Sequence, residues 1–322
     1  MINSLNTPVL FLVFNRPDTT QQVFEAIKKQ QPKYLFIAAD GPREDKEGEQ
    51  EICLSVRNNL LAQIDWDCEL KTLFRESNIG CRNAVQGAID WFFDNVEEGI
   101  ILEDDTLPND AFFRYCSFLL EKYRNDEKIF SINGCSLGYQ HENAAYGVTR
   151  YFNMWGWATW KRSNRKVSEA WNNFREQSDI INDSFINKQL HLPTVWDSSD
   201  WLRYWHKNFL KTLAGEINTW DYQWVYTVLK TNSFCIRPCQ NNIINLGFNI
   251  GGTHTTDHLH PFSDLKYGKE SAADKFKNGN LKIDKKYEIE FVAKRWKGYD
   301  VFKRSREHYY LNALKNKIVL KK

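Results

Sequence analysis

Short apolar runs, each stopped by a polar turn, alternate along the chain with longer stretches in which apolar residues recur every three or four positions. Residues 9–14 (VLFLVF) form the first run, and Asn15-Arg16-Pro17-Asp18 ends it with turn chemistry, which predicts a buried strand and a loop. Val23, Phe24 and Ile27 then recur at helical spacing across 19–30, and residues 34–39 (YLFIAA) predict a second buried strand that ends in Asp40-Gly41. A charged helix is expected over 44–61 with Ile52, Val56 and Leu60 as its apolar stripe, and 69–74 supplies a third strand. Beyond the turn that holds Arg75, Asn78 and Arg82, a helix with Val85, Ile89 and Phe92 on one face leads into a fourth run, Gly99-Ile100-Ile101-Leu102. This alternation predicts an α/β fold, a mostly parallel sheet flanked by helices. Another amphipathic helix over 110–123 and a strand over 129–132 continue it.

The fourth run is apolar throughout and too short for a helix, as a strand buried on both faces requires. Glu103-Asp104-Asp105 stand where it stops, before Thr106-Leu107-Pro108. Ligands of open α/β sheets bind outside the carboxyl ends of the strands, so three carboxylates there occupy the usual place for chemistry. Adjacent anions repel and are costly to desolvate unless a cation or several donors meet them, and a hard divalent ion shared with a diphosphate would do so. The plainer alternative is a solvated turn in which Asp104 or Asp105 caps the next helix. Right-handed βαβ connections bring the ends of the first two strands to one edge, which predicts that the Asn15/Arg16 pair and Asp40 are neighbours in space.

After about residue 140 the alternation fails. Residues 151–160, which include Trp155-Gly156-Trp157, are too aromatic and too interrupted by glycine for an ordinary helix. Helices are expected over 169–191 and 201–213, the latter with Leu202, Trp205 and Phe209 on its face, followed by apolar segments at 219–226 and 233–238 and a glycine-rich stretch at 245–254. No repeat or long linker divides the chain.

At 322 residues and 42% hydrophobic, the chain is long enough for one large domain or two modest ones. Lys+Arg 43 against Asp+Glu 41 leaves a net charge of +2, which argues against nucleic acid as a partner. No basic-then-apolar leader opens the sequence and no stretch approaches the ~18 apolar residues of a membrane span, so a soluble, cytoplasmic protein, at most peripheral to the membrane, is expected. Seven cysteines at scattered positions suit a reducing compartment, and Cys235 with Cys239 lacks the second pair of a metal site. The 12 Trp residues are mostly core material, although flat aromatic faces also suit pyranose C–H groups.

Taken in order, several stretches resemble the GT-A glycosyltransferases, in particular the N-acetylglucosaminyltransferases that initiate complex N-glycan branches and bacterial nucleotide-diphospho-sugar transferases of similar layout. The matching residues are 9–17, 36–41, 102–105 with Phe112-Phe113, Trp155-Gly156-Trp157, Trp220-Asp221, 235–238 and Gly252-Thr253-His254. The resemblance implies an inverting, metal-dependent transfer of a sugar from a nucleotide diphosphate, such as UDP-GlcNAc, to the hydroxyl of a glycan or lipid-linked glycan in cell-surface polysaccharide synthesis. It implies that Arg16 and Asp40 hold the uracil and ribose, with Asn15 beside them, and that Glu103 and Asp104 accept from ribose or donor-sugar hydroxyls. Asp105 would bind Mn2+ or Mg2+, His254 would meet the diphosphate or complete the metal shell, and Asp221 would be the general base. Asn78, Arg82, Trp155, Gly156 and Trp157 are further candidates for the nucleotide-sugar site, Arg82 because a helix N-terminus suits a phosphate. The family's Trp-Asp-Asp-Trp pattern reads here Trp220-Asp221-Tyr222-Gln223-Trp224, one residue longer, and 161–215 has no counterpart.

On this reading 1–140 is the nucleotide-sugar half of the fold, 141–290 an acceptor-side half of the same domain that carries the base, and 291–322 a basic aromatic segment. From Lys294 onward ten Lys and Arg face only Asp300 and Glu307, a place where an anionic membrane surface would be met, or else an ordinary helix with solvated lysines. Two rival functions share the scaffold. A sugar nucleotidyltransferase would show a Gly-rich basic loop after the first strand, which Asn15-Arg16-Pro17-Asp18 is not, and a non-catalytic carbohydrate-binding protein would have no need of Asp40, the acidic triplet and Asp221 together.

Overall fold

The computed structural model describes residues 4–139, 144–176, 198–248, 262–268, 279–283 and 287–288. Its first hundred residues follow the alternation read from the sequence: β1 (Val9–Val13), α1 (Pro17–Gln30), β2 (Tyr34–Ala39), α2 (Glu49–Ala62), β3 (Glu69–Phe74), α3 (Cys81–Asn95) and β4 (Glu98–Glu103). All five residues of β1 are buried, which is why this strand reads as an unbroken apolar run. The four strands run parallel, with Val13 level with Ala39, Ala39 level with Phe74 and Leu12 level with Glu103. Their polar exits therefore share one edge.

Local chemistry sets the helix limits. Pro17 sits in the first turn of α1, where its missing N–H costs nothing, and Gln31 ends the helix in the left-handed conformation at φ 45°. In α2 the buried set is Glu49, Cys53, Val56 and Leu60, while Ile52 stays 43% exposed. The expected stripe is thus shifted by one position at its N-terminal end. The shift follows from Glu49, whose carboxylate is pulled inward by Arg43 and by the Asn15 amide (2.8 Å). The core under α3 is aromatic: Phe36 meets Phe92 edge-on at 4.9 Å and Trp91 at 5.4 Å, pairs worth about 0.5–1.5 kcal/mol each beyond their buried area.

The chain then adds β5 (Thr106–Pro108), α4 (Asp110–Lys122), β6 (Ile129–Asn133), β7 (Tyr146–Thr149), β8 (Trp157–Trp160), α5 (Lys161–Glu176), α6 (Ser198–Leu213), α7 (Asp221–Lys230), β9 (Phe234–Pro238), β10 (Ile243–Asn245) and β11 (Gly279–Ile283). A nine-stranded sheet has the order β11-β7-β9-β6-β8-β4-β1-β2-β3, and β5 pairs with β10 in a small second sheet. The result is the expected α/β architecture, a large and mostly parallel sheet flanked by helices. Three strands run against the rest: β8, from the aromatic stretch at 151–160, is antiparallel to β4 on one side and to β6 on the other, and β7 is antiparallel to β9 with β11 parallel to β7. Trp157 is fully buried and packs against Trp224 at 4.7 Å and Phe152 at 4.9 Å. Of the helix expected over 169–191, the described part belongs to α5, and the rest lies outside the described residues.

The described residues near the C-terminus return to this core. Glu288 is fully buried against Arg150 at 2.6 Å, and the guanidinium of the buried Arg237 lies 4.2 Å from the Tyr287 ring and 4.8 Å from the Tyr139 ring, the two rings meeting edge-on at 5.4 Å. All seven cysteines are free. Among the described residues no helix is long and apolar enough to cross a membrane, and the basic segment 291–322 lies outside them.

Gly156 holds φ +57°, and a Cβ there would fall 2.4 Å from Ile243 and 3.2 Å from Leu102, whereas Gly215, at φ +79°, has nothing within 4 Å. Both substitutions to alanine pay for left-handed backbone, but only Gly156→Ala also crowds the core, at about 1–3 kcal/mol more. Urea unfolding of the two variants isolates that difference, and equal losses would refute the packing role of Gly156.

Candidate functional site

The site is built on the shared strand edge. After β4 the chain turns sharply through Asp104-Asp105 into β5, and the Thr106 hydroxyl holds the turn by accepting from the Glu103 N–H (2.9 Å) and donating to the Glu103 carbonyl (3.0 Å). From the other side, the Leu246 N–H donates to the Asp105 carbonyl at 2.7 Å, so the small sheet fastens the turn to the residues after β10. Neither aspartate caps the next helix, because Asn109 does so by accepting from the Phe112 N–H at 3.0 Å. The plainer sequence reading of the acidic turn is thereby replaced.

The carboxylates are partnered from β1. Arg16 Nη1 lies 3.2 Å from Asp104 Oδ1 and 2.9 Å from Asp105 Oδ2, and the Phe14 N–H donates to Asp104 Oδ2 at 3.2 Å. Burial pushes the Asp104 carboxyl up to about 7 against the pull of Arg16, and burial also raises Asp105. Glu103 is driven well above the usual carboxylate range, by burial first and then by the charges of Asp105, Asp104 and Asp221. Asp221 opens α7, on the far side in sequence, and its carboxylate accepts from the Thr219 hydroxyl.

Asp40 and Asn78 organise the neighbouring loop. The Asp40 carboxylate accepts from the N–H groups of Gly41 (2.9 Å), Ile79 (3.1 Å) and Gly80 (3.1 Å), and the Asn78 amide donates to the Gly41 carbonyl at 2.8 Å. A Cβ on Gly41 would lie 2.2 Å from the Ser77 backbone, which explains the Asp-Gly pair at this exit. Cys81, in the first turn of α3, reports on what surrounds it. Its thiol is pushed up to about 12, by burial first and then by Glu103, Asp221 and Asp40, with Arg16 opposing. Four separately inferred residues therefore act on one point.

Other candidates are placed differently from the site that the sequence drew. Asn15 spends its amide on Glu49. Arg82 reaches the Thr212 carbonyl at 2.8 Å and lies over the Trp171 ring at 5.7 Å, bracing α6 rather than extending from the N-terminus of α3. Trp157 is core, and the close approach at Gly156 is to Ile243 and Leu102. Trp155 stays half-buried at the edge, its ring meeting Phe248 and Phe262 at 5.6 and 5.8 Å. His254, with Gly252 and Thr253, lies outside the described residues.

The structure adds two features that sequence reasoning missed. One is Thr106, for which a buried hydroxyl one position past the acidic triplet is the available signal. The other is Gln86 of α3. Its amide nitrogen donates to Asp90 (2.9 Å) and to Asn164 of α5 (3.0 Å), and its oxygen accepts from Gln223 (2.7 Å) and Trp224 (2.9 Å) of α7. No local pattern marks it, because its partners come from distant elements.

Strand order and acidic turn together are those of an α/β, Rossmann-like protein consistent with the GT-A type. No protein-family model matches the chain, and no curated protein matches it in sequence. Among solved structures it is similar to HddC from Yersinia pseudotuberculosis, at 9% identity over 48% of this chain and 77% of that one with a TM-score of 0.31. It is also similar to mouse xyloside xylosyltransferase 1 in its apo form, at 11% identity over 70% of this chain and 82% of that one with a TM-score of 0.33. At these scores the likenesses carry no argument about function.

Thr106→Val keeps the shape of the side chain and removes the hydroxyl, leaving the Glu103 N–H without that acceptor at a cost of about 1–3 kcal/mol. Urea denaturation measures the loss, and an unchanged midpoint would show that the turn does not depend on this hydroxyl.

Proposed function

We propose that the chain is an inverting glycosyltransferase that moves a sugar from a nucleotide diphosphate donor, such as UDP-GlcNAc, to the hydroxyl of a glycan or lipid-linked glycan, in cell-surface polysaccharide synthesis. The observation that carries this reading is the acidic turn at the exit edge of a mostly parallel sheet, where Arg16 meets both Asp104 and Asp105. Asp40, fixed by loop amides, is positioned to accept from the nucleoside. Glu103 and Asp104 present acceptors to ribose and sugar hydroxyls. Asp221 takes the acceptor proton as general base.

Mn2+ or Mg2+ completes the proposal. Among the described residues no group of three His, Cys, Asp or Glu side chains is arranged to hold a metal ion. Asp105 is a hard oxygen donor whose side chain is the more exposed of the two aspartates that Arg16 meets, which fits an ion shared with a diphosphate and does not fit a resident ion caged by protein alone. When bound, the ion would neutralise charge on the departing diphosphate. Asp105 would hold it from the protein side, with His254 proposed for the diphosphate or the metal shell.

A thermal-shift panel of nucleotide sugars with and without Mn2+ tests the donor, since a ligand at about 100 times its dissociation constant contributes about 2.7 kcal/mol. Slow hydrolysis of the stabilising nucleotide sugar in the absence of acceptor separates an enzyme from a binding protein. No shift with any member of the panel overturns the reading.

Asp105→Asn should abolish the Mn2+-dependent part of nucleotide binding with the fold intact, and a variant that still responds to EDTA like the parent would exclude Asp105 as the ligand. Asp221→Asn should lower turnover by about 10²–10⁴ with donor affinity nearly unchanged. Asp221 also sits in the first turn of α7, where a carboxylate is worth about 0.3–1 kcal/mol to the helix, so rates are compared well below the melting temperature of the variant. Full turnover in Asp221→Asn would assign the base elsewhere.

A further inference from the structure

We propose that the chain forms a two-fold dimer through its edge strand β3, the outer backbone of each copy pairing antiparallel with that of the other so that one sheet runs across both subunits. The surface lies away from the acidic turn, and the inference stands apart from the proposed activity.

β3 is last in the strand order of the large sheet, and none of its residues is buried, whereas β1 is buried throughout. The Glu69 N–H donates to the Lys33 carbonyl at 2.7 Å and the Arg75 N–H to the Ala39 carbonyl at 3.0 Å, both inward. Backbone groups of successive strand residues turn to opposite sides, so Leu70, Thr72 and Phe74 turn theirs outward, where among the described residues no strand meets them. Edge strands are commonly blunted by proline, a bulge or a lysine. β3 contains no proline, and its pairing with β2 keeps one register from Glu69 to Phe74. Lys71 bends over the sheet instead of guarding the edge, reaching Asn95 of α3 at 2.8 Å and the Phe36 ring at 5.9 Å.

The flank of α2 above this edge is apolar. Arg57 of α2 lies over the Phe74 ring at 5.2 Å and donates to the Arg75 carbonyl at 3.0 Å, which sets that flank over β3. Leu54 and Leu61, about one turn to either side of Arg57, are 47% and 38% exposed, and Leu70, on the same sheet face as Phe74, is 37% exposed.

A second copy fits this surface because the strand complements itself. A two-fold contact sets one patch against the same patch, residue i opposite j and j opposite i. A ladder centred on Lys71 would set two lysines face to face, and one centred on Leu73 would set Lys71 against the partner's Arg75. Centring on Leu70 leaves 69–71 alone in the ladder. Centring on Thr72 keeps 70–74 paired, places Leu70 opposite the partner's Phe74 and brings Glu69 opposite Arg75 of the partner subunit. Arg75 lies against Gly87 of α3, on the sheet face that also carries Glu69 and Lys71, so the opposite charges meet on one side of the joined sheet. With the axis normal to the sheet, Leu54 of each copy turns towards the partner's Leu61, and these leucines leave water together. Antiparallel pairing reverses the strand exits, so the two candidate sites open at opposite edges of the joined sheet.

Sedimentation velocity of the full chain over a range of concentrations tests the contact. The expected result is a reversible shift from the chain mass of 38.0 kDa to twice that mass. Glu69→Arg and Arg75→Glu should each raise the dimer dissociation constant by about tenfold or more, because each sets like charges opposite one another in both symmetric pairs, and the two changes in one chain should restore the parent value. Thr72→Pro removes the outward N–H at the axis without touching the bonds to β2, and should leave a monomer with the parent's circular dichroism. If that variant does not fold, the charge reversals decide alone. A chain monomeric at every concentration overturns the proposal and leaves the edge to a strand of a different protein. A dimer unaffected by both single reversals belongs to another surface and also overturns it, as does a doubly reversed chain that dimerises no better than the singles.

Discussion

Three carboxylates in consecutive positions at the buried end of a strand set the terms for everything around them. Such a cluster survives in a folded protein only if donors and cations are brought to it, and three segments secure this turn. The exit of β1 supplies Arg16 and the Phe14 N–H, Thr106 closes the turn, and Leu246 fixes its carbonyl side. The electrostatic demand of the turn thereby dictates where the first strand must end, and the parallel register of β1, β2 and β4 is the means by which it ends there. Glu103 carries the residual strain, held toward its neutral form by burial and by three neighbouring anions.

Much of this was legible before any coordinates. Parallel strands buried on both faces have to be apolar throughout, so β1, β2 and β4 announce themselves, and the polar residue at each exit marks the functional edge. Arg16 was legible as belonging to the same sheet edge as Asp40, through the handedness of βαβ units. Its ion pair with Asp104 and Asp105 was not, because a contact across 88 positions leaves no local trace. Three-residue strands such as β5 and β10 fall below any periodicity. The W-A-T-W sequence of β8 concealed a central strand because its tryptophans serve as core volume between sheet and helices, a role that composition does not separate from ligand binding. Arg237 shows the same limit in reverse. The charged Arg237 is met inside its strand by the rings of Tyr139 and Tyr287, and neither is adjacent in sequence.

The antiparallel course of β8 also has a spatial consequence. A strand running against its neighbours brings its entry, not its exit, to the functional edge, and so Trp155 and Gly156 arrive beside the acidic turn from the opposite chain direction. Gly156 donates no side chain there, but its carbonyl accepts from the Gly134 N–H at 2.7 Å and ties the exit of β6 to the same rim. The rim is thus continuous from the Asp40 loop to the residues that follow β6.

Gln86 gives the fold a constraint of another kind. Its amide uses two donor and two acceptor positions at once, spanning α3, α5 and α7. Glutamate at this position would set like charge against Asp90, and a hydrocarbon would strand Asn164, Gln223 and Trp224 together, so no single replacement preserves the hub. Change at position 86 therefore disturbs partners on two further helices at once. Gln86 with Trp224, 138 positions apart, thereby makes the seating of α3 and that of α7 a single packing problem.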